Sequence, residues 1–515
     1  MKLQTLEREL SKILELMISN EDSIGTEIKQ VHKDFKLSAR NLYRYLILRN
    51  FDLRRFHDTL SDIGLSSMRT AEGYVMSNLL NVLKNVKRIQ NEPFESMFAQ
   101  EPKLIGYVRS KRLLKKHANL LFNATDREHF TEIMVTLPDE AAKDISIIRN
   151  MVTNGMEIAR INLSHGDLEM WRKMVENVKK VEQSIEQKIK IYMDLSGPKI
   201  RTSTIAIYGK NGDIKNGIPI KAGDHIILTK RDTYGKESKF AETNEQLEKA
   251  EVSVQLIEII DDAKVGDVVL FDDGMIRSEV IDKDENDLEL KITATYKKKL
   301  SSHKGINLPN TKLNLPALTE KDIECLPFIC QYADIVGYSF VRTGSDVEKL
   351  YAQLDKHNAA DIGVVFKIEN REAFENLPEI LISGMRRNKI GVMIARGDLA
   401  VEVGFERISE VQNQILWLCA AAHVPVIWAT QVLDNLAKTG IPTRAEISDA
   451  VLGAQAECVM LNKGPHINEA IRVLRDILVR MAGHSFKKKS ELRPLNVSKK
   501  YLKNLTKRKP DNSKI

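Results

Sequence analysis

Lys367 and Glu369 stand two residues apart in the apolar run GVVFKIEN (363–370). On an extended strand such a pair shares one face, about 6.6 Å apart along the chain. A second apolar run, KIGVMIARG (389–397), stops at Arg396-Gly397-Asp398. If the two runs are neighbouring strands, Glu369 and Asp398 can reach one divalent cation. Two carboxylates with the other positions left to water suit Mg²⁺ or Mn²⁺. Lys367, Arg160 and Arg201 would add positive charge around the same point. That is the equipment of phosphoryl transfer, where positioning and charge neutralisation do most of the work. Gly397 allows a tight turn whose backbone N–H groups can bind an anion such as a carboxylate. Each feature has a plainer reading by itself. An inward Lys–Glu pair is more often a structural ion pair, and Arg-Gly-Asp can be a surface turn or an adhesion tripeptide. The convergence of several strand ends is the stronger signal.

The elements that would position these residues emerge from the rhythm of the chain. From about residue 131, short apolar runs alternate with amphipathic helical stretches. The strands are EIMVTLP (132–138), MEIARINLSH (156–165), IKIYMDL (189–195), DIVGYSFV (334–341), GVVFKIEN, KIGVMIARG, VPVIWAT (424–430) and CVMLNKG (458–464). Eight strands each followed by a helix predict a closed (β/α)₈ TIM-type barrel, an α/β fold. Its strand ends converge on one mouth. Arg160, Asn162, Ser164 and His165 end the second strand, Asp194 the third, Lys367 and Glu369 the fifth, Arg396 to Asp398 the sixth and Thr430 the seventh. After Thr202 come about a hundred residues of β and turn signals, including KAGDHIILTK and VGDVVLFDDGMIRSEVI. They predict a small β-barrel lid inserted at the mouth. The first 125 residues or so read as helices only. Leu3, Leu6, Leu10, Ile13 and Met17 form one helical face, Ser38 is a candidate cap and Gly64 a candidate helix end. The expected organisation is an N-terminal all-α domain (1–128), the barrel (129–202 and 306–485), the lid (203–305) and a basic tail (486–515).

Bulk properties narrow the function classes. At 515 residues, with 43% hydrophobic and 29% charged residues, this is an ordinary globular composition of more than one domain. The four cysteines show no metal-ligand spacing, no 18-residue apolar run exists and the first residues do not read as a secretory signal. A cytoplasmic protein is expected, which sets the adhesion reading aside. The net charge of +7 is concentrated at the end, where Lys487 to Ile515 carries eleven Lys or Arg against two acids. The tail reads as a mobile solvated terminus. Nothing points to a membrane, and no aromatic interleaving points to nucleic acid.

KIEN, MIARGDLAVEVG, VPVIWATQVLDNL and PTRAEISDAV resemble the pyruvate kinase barrel. ARINLSHG, MDLSGPKIRT, FDDGMIRSEV, HKGINLPNTKLNLPALTEKD and SFVRTGSDV match in the family's order. The resemblance covers about residues 131–480. It implies phosphoryl transfer from phosphoenolpyruvate to ADP, giving pyruvate and ATP. It also implies Glu369 and Asp398 as metal ligands, Lys367 beside the transferred group and Arg160 on its phosphate. Gly397, the Asp398 backbone and Thr430 would hold the substrate carboxylate. Arg160, His165 and Arg201 would lie toward the nucleotide, and Asp272 and Asp273 on the closing face of the lid. The plainer reading of FDDG is only a hairpin turn.

Several features depart from the family pattern. Its C-terminal regulatory domain is replaced by the basic tail, so no sugar-phosphate effector site and no tetramer contact of that domain are expected. The helical region lies outside the pattern and could give a different homo-oligomer contact or a regulatory surface. Strand eight ends in Asn462-Lys463-Gly464, where the family has Ser-Gly-Glu, residues implicated in protonating the enolate. Neither Asn462 nor Gly464 titrates near neutral pH. Leu195 and Lys199 replace the threonine and glutamate of potassium-requiring members, although the oxygen ligands Asn162, Ser164 and Asp194 remain. The expectation is that K⁺ is not required and that the Lys199 ammonium substitutes for it. The strand-eight change leaves two alternatives open. One is a related phosphoenolpyruvate- or oxaloacetate-using enzyme with another proton step. The other is a scaffold pseudoenzyme.

Overall fold

The computed structural model describes residues 2–65, 68–94, 104–122, 131–208, 214–243, 245–482, 485–486 and 489–490. The boundary expected near residue 128 and nearly all of the basic tail lie outside the described residues. Eight parallel strands close into a barrel: β1 (Glu132–Thr136), β2 (Ile158–Asn162), β3 (Lys190–Asp194), β4 (Ile335–Tyr338), β5 (Gly363–Ile368), β6 (Ile390–Ala395), β7 (Val426–Ala429) and β8 (Cys458–Leu461). β1 pairs with β8 through Val135 and Leu461, so no strand is left as an edge. β5, β6 and β7 are buried along their whole length, as continuous Val/Ile runs covered by helices on one side and by the barrel interior on the other require. The helices between strands start where the sequence supplies acceptors. Thr319–Asp322, Thr343–Asp346 and Thr443–Glu446 form reciprocal capping boxes.

Beyond Thr202 the chain builds a second body, which runs past the boundary expected at 305 because Ile306–Asn307 pairs into its sheet and Leu308 and Leu315 join its core. Its six-stranded sheet runs in the order Ala250–Ser253, His225–Thr229, Asp287–Thr295, Ile276–Lys283, Val268–Phe271, Ile306–Asn307. Ile276, Ser278 and Val280 are buried while Arg277 and Glu279 are exposed, the alternation of a sheet with one dry face. Ile226, Leu228, Phe271, Ile276 and Leu290 belong to a core separate from that of the barrel. The two bodies meet at a narrow root, where Arg201 bridges Gly305 and Thr202 bridges Val254.

The N-terminal residues form α1 (Lys2–Ser19), α2 (Glu21–Gln30), α3 (Lys36–Leu48), α4 (His57–Asp62), α5 (Val75–Ile89) and α6 (Tyr107–Phe122). Leu6, Leu10, Ile13 and Met17 are buried, as their spacing predicts. Gly64, at φ 69°, stands two residues beyond α4. Ser38 is a correction: it lies inside α3, which begins at Lys36, and its hydroxyl is buried against His423 Nδ1 at 3.1 Å. That polar contact is tertiary and leaves no local signal. These helices lean on the barrel. Asn41 Nδ2 donates to Ala421 O at 2.8 Å, and His117 Nδ1 lies 2.7 Å from His423 O. Leu121 of α6 enters the barrel floor, sharing a buried cluster with Met134, Ile158, Val365 and Met393. Gly363 and Gly391 make room for it, since a Cβ on either would stand 2.7 or 2.6 Å from a Leu121 methyl.

Candidate active site

At the opposite end of the strands the barrel interior turns polar. Arg160, Asp194, Lys367 and Glu369 are 8%, 1%, 8% and 4% exposed, so each charge depends on the others for solvation. Arg160 Nε donates to Asp194 Oδ2 at 2.6 Å, and Nη1 donates to Thr136 Oγ1 at 2.8 Å. Lys367 Nζ lies 3.0 Å from Glu369 Oε1, 3.5 Å from Asp194 Oδ1 and donates to Ser339 Oγ at 2.7 Å. The Phe340 N–H donates to Glu369 Oε2 at 2.7 Å. Burial works against charge on Asp194, but Arg160 and Lys367 outweigh it and hold its carboxyl below the usual range. Burial likewise opposes the Lys367 ammonium, yet Asp194 and Glu369 raise it above its ordinary value. Glu369 differs. Burial pushes it up, the neighbouring Asp398 charge adds to that, and Lys367 offsets only part. Two carboxylates placed so that one raises the other are what a bound cation would relieve, so the residues present fit a divalent metal.

The backbone explains why these side chains can meet. Gly337 of β4 is the register partner of Asp194. A Cβ there would lie 2.1 Å from the Tyr192 hydroxyl and 2.3 Å from Asp194 Oδ1, so glycine alone lets Asp194 turn inward. Asp322, in the capping box of Glu320–Tyr332, accepts from the N–H groups of Ser196 and Gly197 and holds the segment that carries Lys199. Thr430 sits at φ 66°, a strained conformation for a β-branched residue, with Gln431 at 57°. Arg396 pins it there. Its guanidinium donates to Ala429 O and Thr430 O, pairs with Asp449 and lies over the Trp428 ring at 4.6 Å.

Strand six leads straight into a helix. Arg396-Gly397-Asp398 is not a tight turn but the opening of the helix Arg396–Val403, and Gly397 N–H donates to Thr430 Oγ1 at 2.9 Å. The Arg-Gly-Asp order has a structural use, with the arginine clamping strand seven and the aspartate facing the mouth. Asp272 and Asp273 do occupy a hairpin, at φ 52° and 56° with Gly274 at 82°, between the lid strands Val268–Phe271 and Ile276–Lys283. They also line a cavity of ≈ 1150 Å³ with Arg160, Asn162, His165, Gly397, Asp398, Thr430, Asn462 and Lys463. FDDG is thus a hairpin turn whose two carboxylates line the cavity.

Other residues fall elsewhere. Arg201 is engaged at the lid root, where Nη1 donates to His303 O at 3.0 Å. Ser164 is exposed, and its N–H donates to Asn162 Oδ1 at 3.1 Å. Leu195 is buried, with its carbonyl accepting from Ser339 Oγ at 2.7 Å. Lys199 Nζ reaches Asp398 Oδ1 and Oδ2 at 2.9 and 3.2 Å. Sequence reasoning passed over Ser339, Thr136 and Gly337. The first two close strands four and one, and a strict strand-end inventory would have included them. The need for glycine at position 337 is visible only once β3 and β4 are paired. At the end of β8, Lys463 Nζ pairs with Asp139 at 2.9 Å. A Cβ on Gly464 would lie 2.3 Å from Ala437 O, so this backbone leaves no space for a side chain there.

Residues 128–466 match the family model of the pyruvate kinase barrel domain. The chain is 34% identical to the pyruvate kinase of Bacillus licheniformis over 357 residues, which is 68% of this chain and 57% of that protein. It is 33% identical to the pyruvate kinase of Staphylococcus aureus over 356 residues, 68% of this chain and 56% of that one. It thus spans a little over half the length of these relatives. Among solved structures, the pyruvate kinase of Cryptosporidium parvum superposes with a TM-score of 0.60 at 26% identity, covering 70% of this chain and 72% of that one. The chain belongs to the pyruvate kinase family.

Proposed function

We propose that this protein transfers the phosphoryl group of phosphoenolpyruvate to ADP, with Mg²⁺ or Mn²⁺ held by Glu369 and Asp398. The observation that carries the reading is the buried charge cluster of Arg160, Asp194, Lys367 and Glu369, beside a cavity that lid and barrel line together. When bound, the divalent cation supplies a Lewis acid for the phosphoryl and carboxylate oxygens. The chain's own residues do the rest. Lys367 and Arg160 neutralise charge on the transferred group from positions fixed before substrate arrives. Thr430 and the first turn of Arg396–Val403 receive the substrate carboxylate. His165 lies on the nucleotide side of the cavity, and Asp272 and Asp273 bring acidic groups from the lid. Arg201 acts through the lid root, not on the phosphate.

The reading includes independence from K⁺. Arg160 donates to Asp194 Oδ2, the Lys367 ammonium stands 3.5 Å from Oδ1, and Leu195 presents no side-chain oxygen. Protonation of the enolate cannot use a residue at 464, so it falls to water or to another group at the mouth. That same feature supports a second reading, an enzyme of this family that uses phosphoenolpyruvate or oxaloacetate with a different proton step. One assay separates the two: protein, phosphoenolpyruvate, ADP and Mg²⁺, with ATP and pyruvate measured independently in a potassium-free buffer. Equal yields of both products, unchanged by added KCl, are expected. ATP formation with lagging pyruvate favours the second reading. Neither product would overturn the first reading, and the same outcome with oxaloacetate in place of phosphoenolpyruvate would overturn the second.

A further inference from the structure

Lys199 stands at the junction of the two bodies, between Gly197, held by Asp322 of the barrel, and Ile200 of the lid core. Its neighbour Ile200 is buried in the core of the inserted β-domain, and the Ile306 N–H donates to the Ile200 carbonyl at 2.9 Å. Its ammonium nevertheless reaches across to the barrel, contacting both carboxylate oxygens of Asp398 at 2.9 and 3.2 Å. This ion pair stands in a wall. Lys199 and Asp398 line the cavity that holds Arg160 and Thr430, and both also line a second groove of ≈ 540 Å³ that holds Glu369. The pair therefore stands between the cavity of Arg160 and Thr430 and the groove of Glu369, the other carboxylate read above as a cation ligand. A second acceptor is close. Lys199 Cε and Asp273 Oδ1 lie 3.6 and 3.9 Å from the point where a Cβ on Gly305 would stand. Gly305 thus lies against both the lysine and the lid carboxylate.

We propose that Lys199 is a tethered competitor of the divalent cation: its ammonium holds Asp398 until a cation takes that carboxylate, and Asp273 of the lid then receives it. This rests on the reading of Glu369 and Asp398 as cation ligands. The physical case is simple exchange. A carboxylate with both oxygens on an ammonium must give up that contact to bind a cation, so affinity is lower than the two carboxylates alone would give. A lysine released beside Asp273 then joins the lid hairpin to the lid root, so cation loading and lid position become linked.

The test is binding of Mn²⁺ alone, followed by electron paramagnetic resonance or calorimetry on the full chain, with no substrate and no turnover. Lys199→Met is expected to bind Mn²⁺ about two- to fivefold more tightly than the unmodified protein, the size of one partly exposed ion pair. Lys199→Arg, which keeps the charge, is expected to stay near the original affinity. Asp273→Asn removes the receiving group and is expected to weaken Mn²⁺ binding slightly in the Lys199 background and not at all in Lys199→Met. Equal or weaker Mn²⁺ binding by Lys199→Met overturns the proposal. Glu369→Gln separates this from the underlying reading. If Mn²⁺ binding depends on Glu369 but not on Lys199, the metal site stands and only the competition fails. If it depends on neither, both fail.

Discussion

The two ends of one barrel are built from the same eight strands and solve opposite problems. At the floor, Leu121 of α6 slots between Gly363 and Gly391 and joins Met134, Ile158 and Met393 in a dry cluster. At the mouth, a few residues further along the same strands, Arg160, Asp194, Lys367 and Glu369 are nearly as deeply buried but charged. The floor gains stability from removing apolar surface from water. The mouth costs stability, because desolvating four charges is offset only by their mutual contacts. Gly337 shows how narrow the margin is, since one methyl group at that point would strike both Tyr192 and Asp194. The contrast teaches that burial alone does not distinguish core from site in this fold. What buried residues do to each other's charge distinguishes them.

The sharpest way to break the comparison is Lys367→Met. Turnover is expected to fall by about 10²–10³. Far-ultraviolet circular dichroism and thermal unfolding should show the barrel intact, because methionine fills the same space. Near-normal turnover would mean that the mouth is a structural ion cluster. The reciprocal change is Leu121→Ala at the floor. It removes a buried side chain from a closed cluster and should cost about 2–5 kcal/mol in urea unfolding. The folded variant should keep a kcat near that of the unmodified protein, and a selective loss of kcat would show that the floor positions the mouth.

Gly464→Glu places the family's glutamate where this backbone approaches Ala437. The overpacked loop should lose about 1–3 kcal/mol without gaining pyruvate release, as unfolding and product assays will show. A gain in pyruvate formation would mean that the loop can relax and that the missing side chain alone explains the altered end of strand eight.

The smallest expected effect concerns the joint between α6 and the barrel. His117 is buried against Phe35 and His423, near Asp34 and Lys116. Burial pulls its pKa below the ordinary 6.5. A histidine held neutral in the folded state binds its proton more readily once unfolded. Its contribution to stability is therefore full above pH 6.5 and is lost as pH falls below it. Melting temperature should drop more steeply between about pH 7.5 and 5.5 in the unmodified protein than in His117→Phe. Parallel slopes would remove His117 as the titrating group of the joint.

Residue order alone determined a great deal here. Short apolar runs separated by amphipathic helices specify the eight strands, because a parallel strand buried on both faces must be apolar throughout. The strand-end rule then placed Lys367, Glu369, Asp398, Arg160 and Thr430 at one mouth. Turn chemistry marked Asp272-Asp273-Gly274 as a hairpin. Other features depend on what two distant segments do to the same few cubic ångströms. Ser38 faces His423 from a remote part of the chain, Leu121 needs two glycines on barrel strands, and Arg201 bonds His303 across the lid root. Lys199 is the clearest case. Its sequence neighbours suggested a place beside Asp194, but its reach from the lid root sets it on Asp398. Local patterns carry the preference of each segment for strand, helix or turn. A long, flexible cationic side chain has no such preference of its own, so only the packed arrangement of acceptors around it decides where its charge comes to rest.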